Sequence, residues 1–233
     1  MNLARTLDRP IWQALTTRQS HLAQKAHLAQ GTGRALRFTQ DYALFAAAVD
    51  DSPESLAELA ALIPAQGSVI LLQAGAAPLP PGTVVQSQTA GLQMVLDRLT
   101  PGEPGFAVVP LTDDDAPEML ALATLTKPGP FFSRTHQLGD FIGVKQDGRL
   151  VAMAGERMKP AGFTELSGVC TLPDHRGRGY AGGLMRIVTA RILARGEVPF
   201  LHVYASNTGA IALYESLGFV PRSPVTMTVL ARV

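Results

Sequence analysis

What the sequence withholds narrows its function first. A single cysteine, Cys170, stands among 233 residues, so no intramolecular disulfide can form. With only five scattered histidines beside it, none of the spacings of a zinc site exists. That usage fits a reducing compartment. Net charge is nearly absent: 20 Lys and Arg against 19 Asp and Glu leave +1. This excludes the concentrated basic face that nucleic acid or an anionic membrane requires. No uninterrupted apolar run reaches the roughly 18 residues of a membrane span. The start, Met1 to Arg9, also lacks the apolar stretch of a signal peptide. The expectation is a cytoplasmic protein that handles a small molecule, with no metal, no nucleic acid and no membrane as partner.

What is present is a globular composition, 46% apolar and 17% charged, with 22 Gly and 17 Pro as the visible excess. The length allows one large domain or two small ones. Pro101-Gly-Glu-Pro-Gly105 is punctuation without apolar periodicity, which places a boundary there. Residues 1–100 are expected to form an α/β domain and residues 101–233 a second one. In the first, the opening thirty residues read as polar helix, with His21 and His27 facing solvent, since a spacing of six aligns them on no helix face. Residues 42–49 suit either strand or helix. Ser52-Pro53 opens a helix that Pro64 ends. Residues 68–73 read as a buried strand, 84–87 as a weaker one, and 92–99 as helix or strand.

After residue 105 the pattern is clearer. Phe106 to Val109 reads as a strand, and Thr112-Asp-Asp-Asp115 opens a helix that stops before Pro128. The runs 141–145, 150–158 and 164–171 form an antiparallel meander, its first turn made by Asp147-Gly148. A helix over 180–195, a strand over 199–204, a helix over 207–217 and a strand over 225–230 follow. The order is β-α-(β-β-β)-α-β-α-β, a mixed, mainly antiparallel sheet with flanking helices.

Between the meander and the next helix lies Leu172-Pro-Asp-His-Arg176-Gly177-Arg178-Gly179-Tyr180-Ala181-Gly182-Gly183. Helix starts leave backbone N–H groups unpartnered, and glycine lets a bulky anion reach them, so this is a sound phosphate cradle. It is neither a P-loop nor a dinucleotide-binding fingerprint. Taken alone it fits a helix cap as well as a ligand site.

Arg176-x-x-Gly179-x-Ala181 resembles the Arg/Gln-x-x-Gly-x-Gly/Ala signature of the GNAT superfamily of acetyl-CoA-dependent N-acetyltransferases. The run Asn207-Thr-Gly-Ala-Ile-Ala-Leu-Tyr214-Glu-Ser-Leu-Gly218-Phe219 is similar to that family's second motif. The wording from Thr164 to Ala181 most resembles the glycine-N-acyltransferase-like branch. The resemblance covers about residues 105–233. The first half lacks the signature, even if it descends from a degenerate second copy of the fold.

The resemblance implies acetyl-CoA as co-substrate and a primary amine as acceptor, either a small amine or amino acid or a peptide N-terminus. It implies that the segment Arg176, Gly177, Arg178, Gly179, Tyr180, Ala181 and Gly182 holds the pyrophosphate, and that Val169, Cys170 and Thr171 lie along the pantetheine arm. Gly168 suits a bulge that opens the slot. Glu165 falls where histone acetyltransferases of the superfamily carry their catalytic glutamate, but it can equally pair with Arg157 or Lys159 across the meander. Tyr214 matches a tyrosine beside the coenzyme sulfur that protonates the leaving thiolate. Asn207 both caps a helix and touches the coenzyme.

Cys170, in an apolar strand, reads as a small hydrophobe and not a nucleophile. His175 reads as an exposed loop residue. His202 faces either the substrate or the core, and Phe131, Phe132 and Arg134 either line the acceptor site or pack. Arg157 or Arg134 can pair with an acceptor carboxylate. The rival readings are a non-catalytic coenzyme A binder and a nucleotide binder on the same loop. Monomer and homodimer both remain open.

Overall fold

A computed structural model describes residues 3–26, 32–75 and 77–233. The chain runs α1 (Leu3–Thr6), α2 (Pro10–Thr16), β1 (Ala23–Lys25), β2 (Ala35–Phe38), β3 (Ala46–Ala48), α3 (Pro53–Leu62), β4 (Val69–Ala74) and β5 (Thr83–Leu96). It continues with β6 (Val109–Leu111), α4 (Ala116–Thr126), β7 (Phe141–Gln146), β8 (Arg149–Glu156), β9 (Phe163–Thr171), α5 (Tyr180–Ala194), β10 (Val198–Tyr204), α6 (Thr208–Ser216) and β11 (Phe219–Arg232). Eight strands form one mixed, mainly antiparallel sheet in the order β4-β11-β5-β10-β9-β8-β7-β6, and β1-β2-β3 form a small second sheet.

Local chemistry explains many boundaries. The Ser52 hydroxyl accepts the Ser55 N–H at the start of α3, with Pro53 at the first helical position. Thr112 and Asp115 close a capping box ahead of α4. Lys127 ends that helix in the left-handed region at φ 51°. Asp147 and Gly148, both at positive φ, turn β7 tightly into β8.

Several expectations need correction. Helix ends at Thr16, and the chain then turns through Ser20–Leu22 into β1; His21 is exposed there, while His27 lies outside the described residues. The two runs at 84–87 and 92–99 are one fourteen-residue strand, β5. Its length comes from pairing with β11 along nearly its whole course, Phe219 opposite Leu96 and Arg232 opposite Thr83, a partner far away in sequence. Phe106 precedes the first strand of the second half instead of starting it, and its ring meets Tyr180 edge-on at 4.9 Å.

The segments on either side of residue 101 share their sheet and their cores. β5 lies between β10 and β11. One apolar cluster joins Met94 and Leu96 to Leu184, Val188 and Ile192 of α5. A second, on the opposite face, joins Leu7, Ile11 and Leu15 to Met158, Phe163 and Phe200. A third, smaller one sits under α3 around Leu59, Leu62 and Leu71.

Two irregularities shape the middle of the sheet. β9 and β10 run parallel and pair only from Val198/Phe163 to Phe200/Glu165; beyond that point they part. On its other side, β9 opposes β8 as Cys170 to Met153 and then Ser167 to Gly155, so an extra residue bulges at Gly168–Val169. Gly168 has φ +65°, and a Cβ there would lie 2.8 Å from Phe141 Cε1. The bulge therefore requires glycine on both backbone and steric grounds.

Candidate active site

Where β9 and β10 part, a cleft of about 820 Å³, mouth included, opens through the sheet. Its walls combine residues of the α5-side core, Leu166, Met185, Leu201 and Val203, with residues of the opposite core, Phe45, Leu72 and Val225. It thus connects the two faces.

At the end of β9, Pro173–His175 makes a single tight turn, and Gly177 and Gly179 both take φ 76°. Gly179 stands at the N-cap of α5 with no side chain bonding the first-turn N–H groups, which leaves the helix start able to receive an anion. A Cβ at either glycine would meet nothing within 4 Å, so the requirement is the backbone angle and the open approach. Arg176 and Arg178 are exposed alongside, Arg178 reaching Gln146 Oε1 at 3.4 Å. The Tyr180 side chain turns inward, its hydroxyl accepting from Gln146 Nε2 at 2.6 Å. Beside it Ala181 is half-buried and Gly182 buried.

Val169 lines the cleft, whereas Cys170 packs into the α5-side core. Burial pushes its thiol up to about 11, only partly offset by a hydrogen bond with Thr126. A thiol kept protonated this way is a poor nucleophile. Thr171 is half-buried at the strand end. Asn207 Oδ1 accepts the Ala210 N–H at 3.2 Å, capping α6, and Asn207 and Tyr214 both line the cleft. Burial raises the Tyr214 phenol pKa, so it holds its proton.

Glu165 is completely buried. Arg157 grips it with two bonds, Nε to Oε2 at 2.9 Å and Nη2 to Oε1 at 2.8 Å. His202 Nδ1 lies 2.8 Å from Oε1. Burial alone would raise this carboxyl's pKa, but the charge and hydrogen bonds of Arg157, helped by His202, hold it at about 2. The expected pairing of Glu165 with Arg157 is present, while Lys159 meets Glu156 at 2.9 Å.

Directly across the ladder from His202 stands Gln93 of β5. The Gln93 amide is fully buried. Its nitrogen donates to Leu7 O at 2.9 Å, and its oxygen accepts from Arg222 at 2.7 Å. The NH₂ group therefore also faces His202 Nε2, 2.9 Å away. His202 accepts at Nε2 and donates from Nδ1 to Glu165, an arrangement set by the neighbours' hydrogen bonding.

The other expected substrate residues lie elsewhere. Phe131 packs edge-on against Phe141 at 5.8 Å, the Phe132 N–H donates to the Thr135 hydroxyl at 2.7 Å, and Arg134 lies over the Tyr42 ring at 4.6 Å while bonding Gln137. None of the three lines the cleft, though Pro128–Pro130 of the same loop do. Phe45, Leu72, Thr89, Gly91 and Gln93 were not anticipated, because no local motif marks them; long-range pairing of β4 and β5 with β11, and the bridge of Phe45 to Ile70, brings them in.

This fold, with its splayed strands, bulge and glycine turn, is that of an acetyltransferase, and the chain belongs to the GNAT family. A solved structure from Novosphingobium aromaticivorans, assigned to the GNAT-family acetyltransferases, is 46% identical, covering 97% of this chain and 98% of that one with a TM-score of 0.87. The FR47-like protein family matches residues 141–226. The fold recurs in a GCN5-related N-acetyltransferase from Kribbella flavida, 19% identical over 97% and 95% of the two chains, TM-score 0.65. It recurs again in a GCN5-related N-acetyltransferase-like protein from Streptococcus suis, 14% identical over 99% and 97%, TM-score 0.60. No curated protein matches the sequence. Among the described residues no helix is long and apolar enough to cross a membrane, and no group of His, Cys, Asp and Glu suits a metal ion.

Proposed function

We propose that this acyltransferase moves an acetyl group from acetyl-CoA to a primary amine in a ternary complex. The observation that carries the reading is the parting of β9 and β10 beyond Phe200 and Glu165. It leaves strand-edge N–H and C=O groups on a cleft whose wall includes Met185 of α5, the helix that the glycine turn opens.

In this reading the amides of Gly177 to Gly182, with Arg176 and Arg178, hold the coenzyme's pyrophosphate. The backbone of Val169, Cys170 and Thr171 bonds the pantetheine amides as an added strand would. An N–H near Val169 stabilises the oxyanion as the amine nitrogen bonds to the thioester carbon. As the C–S bond breaks, Tyr214 gives its proton to the departing thiolate and regains one from water. Glu165 does not collect the amine's proton here: a carboxylate held at about 2 has little proton affinity at neutral pH. It orients Arg157 and His202 instead, and the amine's proton leaves through water at the open mouth. The first hundred residues supply one wall of the acceptor side, not a second coenzyme site.

The test is release of free thiol from acetyl-CoA across a panel of primary amines. The parent is expected to release it. Tyr214→Phe should lower kcat by about 10²-fold, the lower end for a lost general acid, with unchanged stabilisation by coenzyme A. If coenzyme A raises Tm yet no amine yields thiol above hydrolysis, the protein is a binder and not a transferase.

A further inference from the structure

We propose that the acceptor is a primary amine carried on an uncharged, apolar body, and not an amino acid. The inference rests on the transferase reading and concerns the half of the cleft away from the glycine turn. Phe45, Leu72, Val225 and Met227 line that half, with Thr89 and Gly91 beside them. All are apolar or uncharged.

Arg157 is the only Lys, Arg, Asp or Glu among the described residues that line the cleft. Its charge is matched by buried Glu165, which Nε and Nη2 bind at two points, and its Cζ lies 4.8 Å from the centre of the Phe45 ring. The pair is neutral overall. An acceptor carboxylate entering between these walls would add a negative charge that nothing balances, and an unbalanced charge loses its hydration without recompense. A second ammonium meets the same obstacle, because Glu165 is already taken. His202 offers no opening either, since its two nitrogens face Glu165 and Gln93. Arg134, the other candidate for a carboxylate partner, is occupied by Tyr42 and Gln137 outside the cleft.

Matched acceptors isolate the carboxylate. Thiol release from acetyl-CoA is measured with phenethylamine, phenylalaninamide and phenylalanine, which share one apolar body. Phenethylamine and phenylalaninamide are expected to exceed phenylalanine in kcat/KM by at least about tenfold, as the desolvation cost implies. A positive charge placed in the wall should reverse the ranking. Met227 is half-buried and sits opposite Thr89 across the β5–β11 ladder, so Met227→Lys is expected to shift the phenylalanine-to-phenethylamine ratio at least about tenfold toward phenylalanine. Thr89→Lys does the same from the other strand, should the first variant fold poorly. Thiol release with phenylalanine equal to or above phenethylamine in the parent overturns this inference alone. Coenzyme A binding without thiol release from any amine overturns the transferase reading and this inference together.

Discussion

Glu165 has the most confined environment of any acid in the site, and its chemistry follows from that. Its pKa in the folded protein, about 2, lies below the ordinary 4.5, so the ionised form contributes stability that is complete above about pH 4.5 and is lost as pH falls toward 2. Urea midpoints measured from pH 7 to pH 2.5 should therefore fall through that window in the parent. In Glu165→Gln the drop between about pH 4.5 and 2 should be smaller, the difference isolating this residue from the other carboxylates. At neutral pH the variant should be less stable by about 3–5 kcal/mol, because Arg157 is left buried without its partner. Equal pH dependence in the two proteins would show that Glu165 titrates normally. A role in collecting the amine's proton predicts something different: a rate profile breaking at this group's own pKa, which the proposed transfer lacks.

Among the elements, the bulged strand β9 is the most constrained. Gly168→Ala places a methyl 2.8 Å from Phe141 Cε1 on a backbone at φ +65°, which should cost about 1–3 kcal/mol from the angle alone. Adding Phe141→Leu relieves the contact but not the angle, so a partial recovery measured by chemical denaturation is expected. Full recovery would show that the angle costs nothing. This strand was legible in the sequence because its determinants are local: the Asp147-Gly148 turn, the glycine at 168, the Arg176-x-x-Gly179-x-Ala181 turn into α5. β5 was legible only in part, as a weak strand at 84–87 and an ambiguous run at 92–99, since Gln86 to Gln93 shows neither clean alternation nor a helical stripe and β11 and β10 on its two sides join the pieces into one strand. The same reason hid the acceptor wall. Phe45 and Leu72 are ordinary residues until the fold sets them in one cleft with His202. The Arg157–Glu165 pair was foreseeable as one of two readings because both residues sit in one meander.

Over the whole molecule, the sheet makes the two halves depend on each other. A chain beginning at residue 101 would leave β10 and β11 without the strand between them and would expose Met158, Phe163, Phe200 and Val225, which otherwise pack with Leu7, Ile11 and Leu15. Such a fragment is expected to be insoluble or molten, without a cooperative thermal transition. Co-expression with residues 1–100 as a separate chain should restore it in part. A soluble, cooperatively folding fragment would contradict this. The central position of β5 also sets a timetable. It leaves the ribosome well before either neighbour, since β10 starts at Val198 and β11 runs to Arg232. The growing polypeptide must carry an unpaired fourteen-residue strand until β10 and β11 have both been made, and the cleft comes into existence only after them.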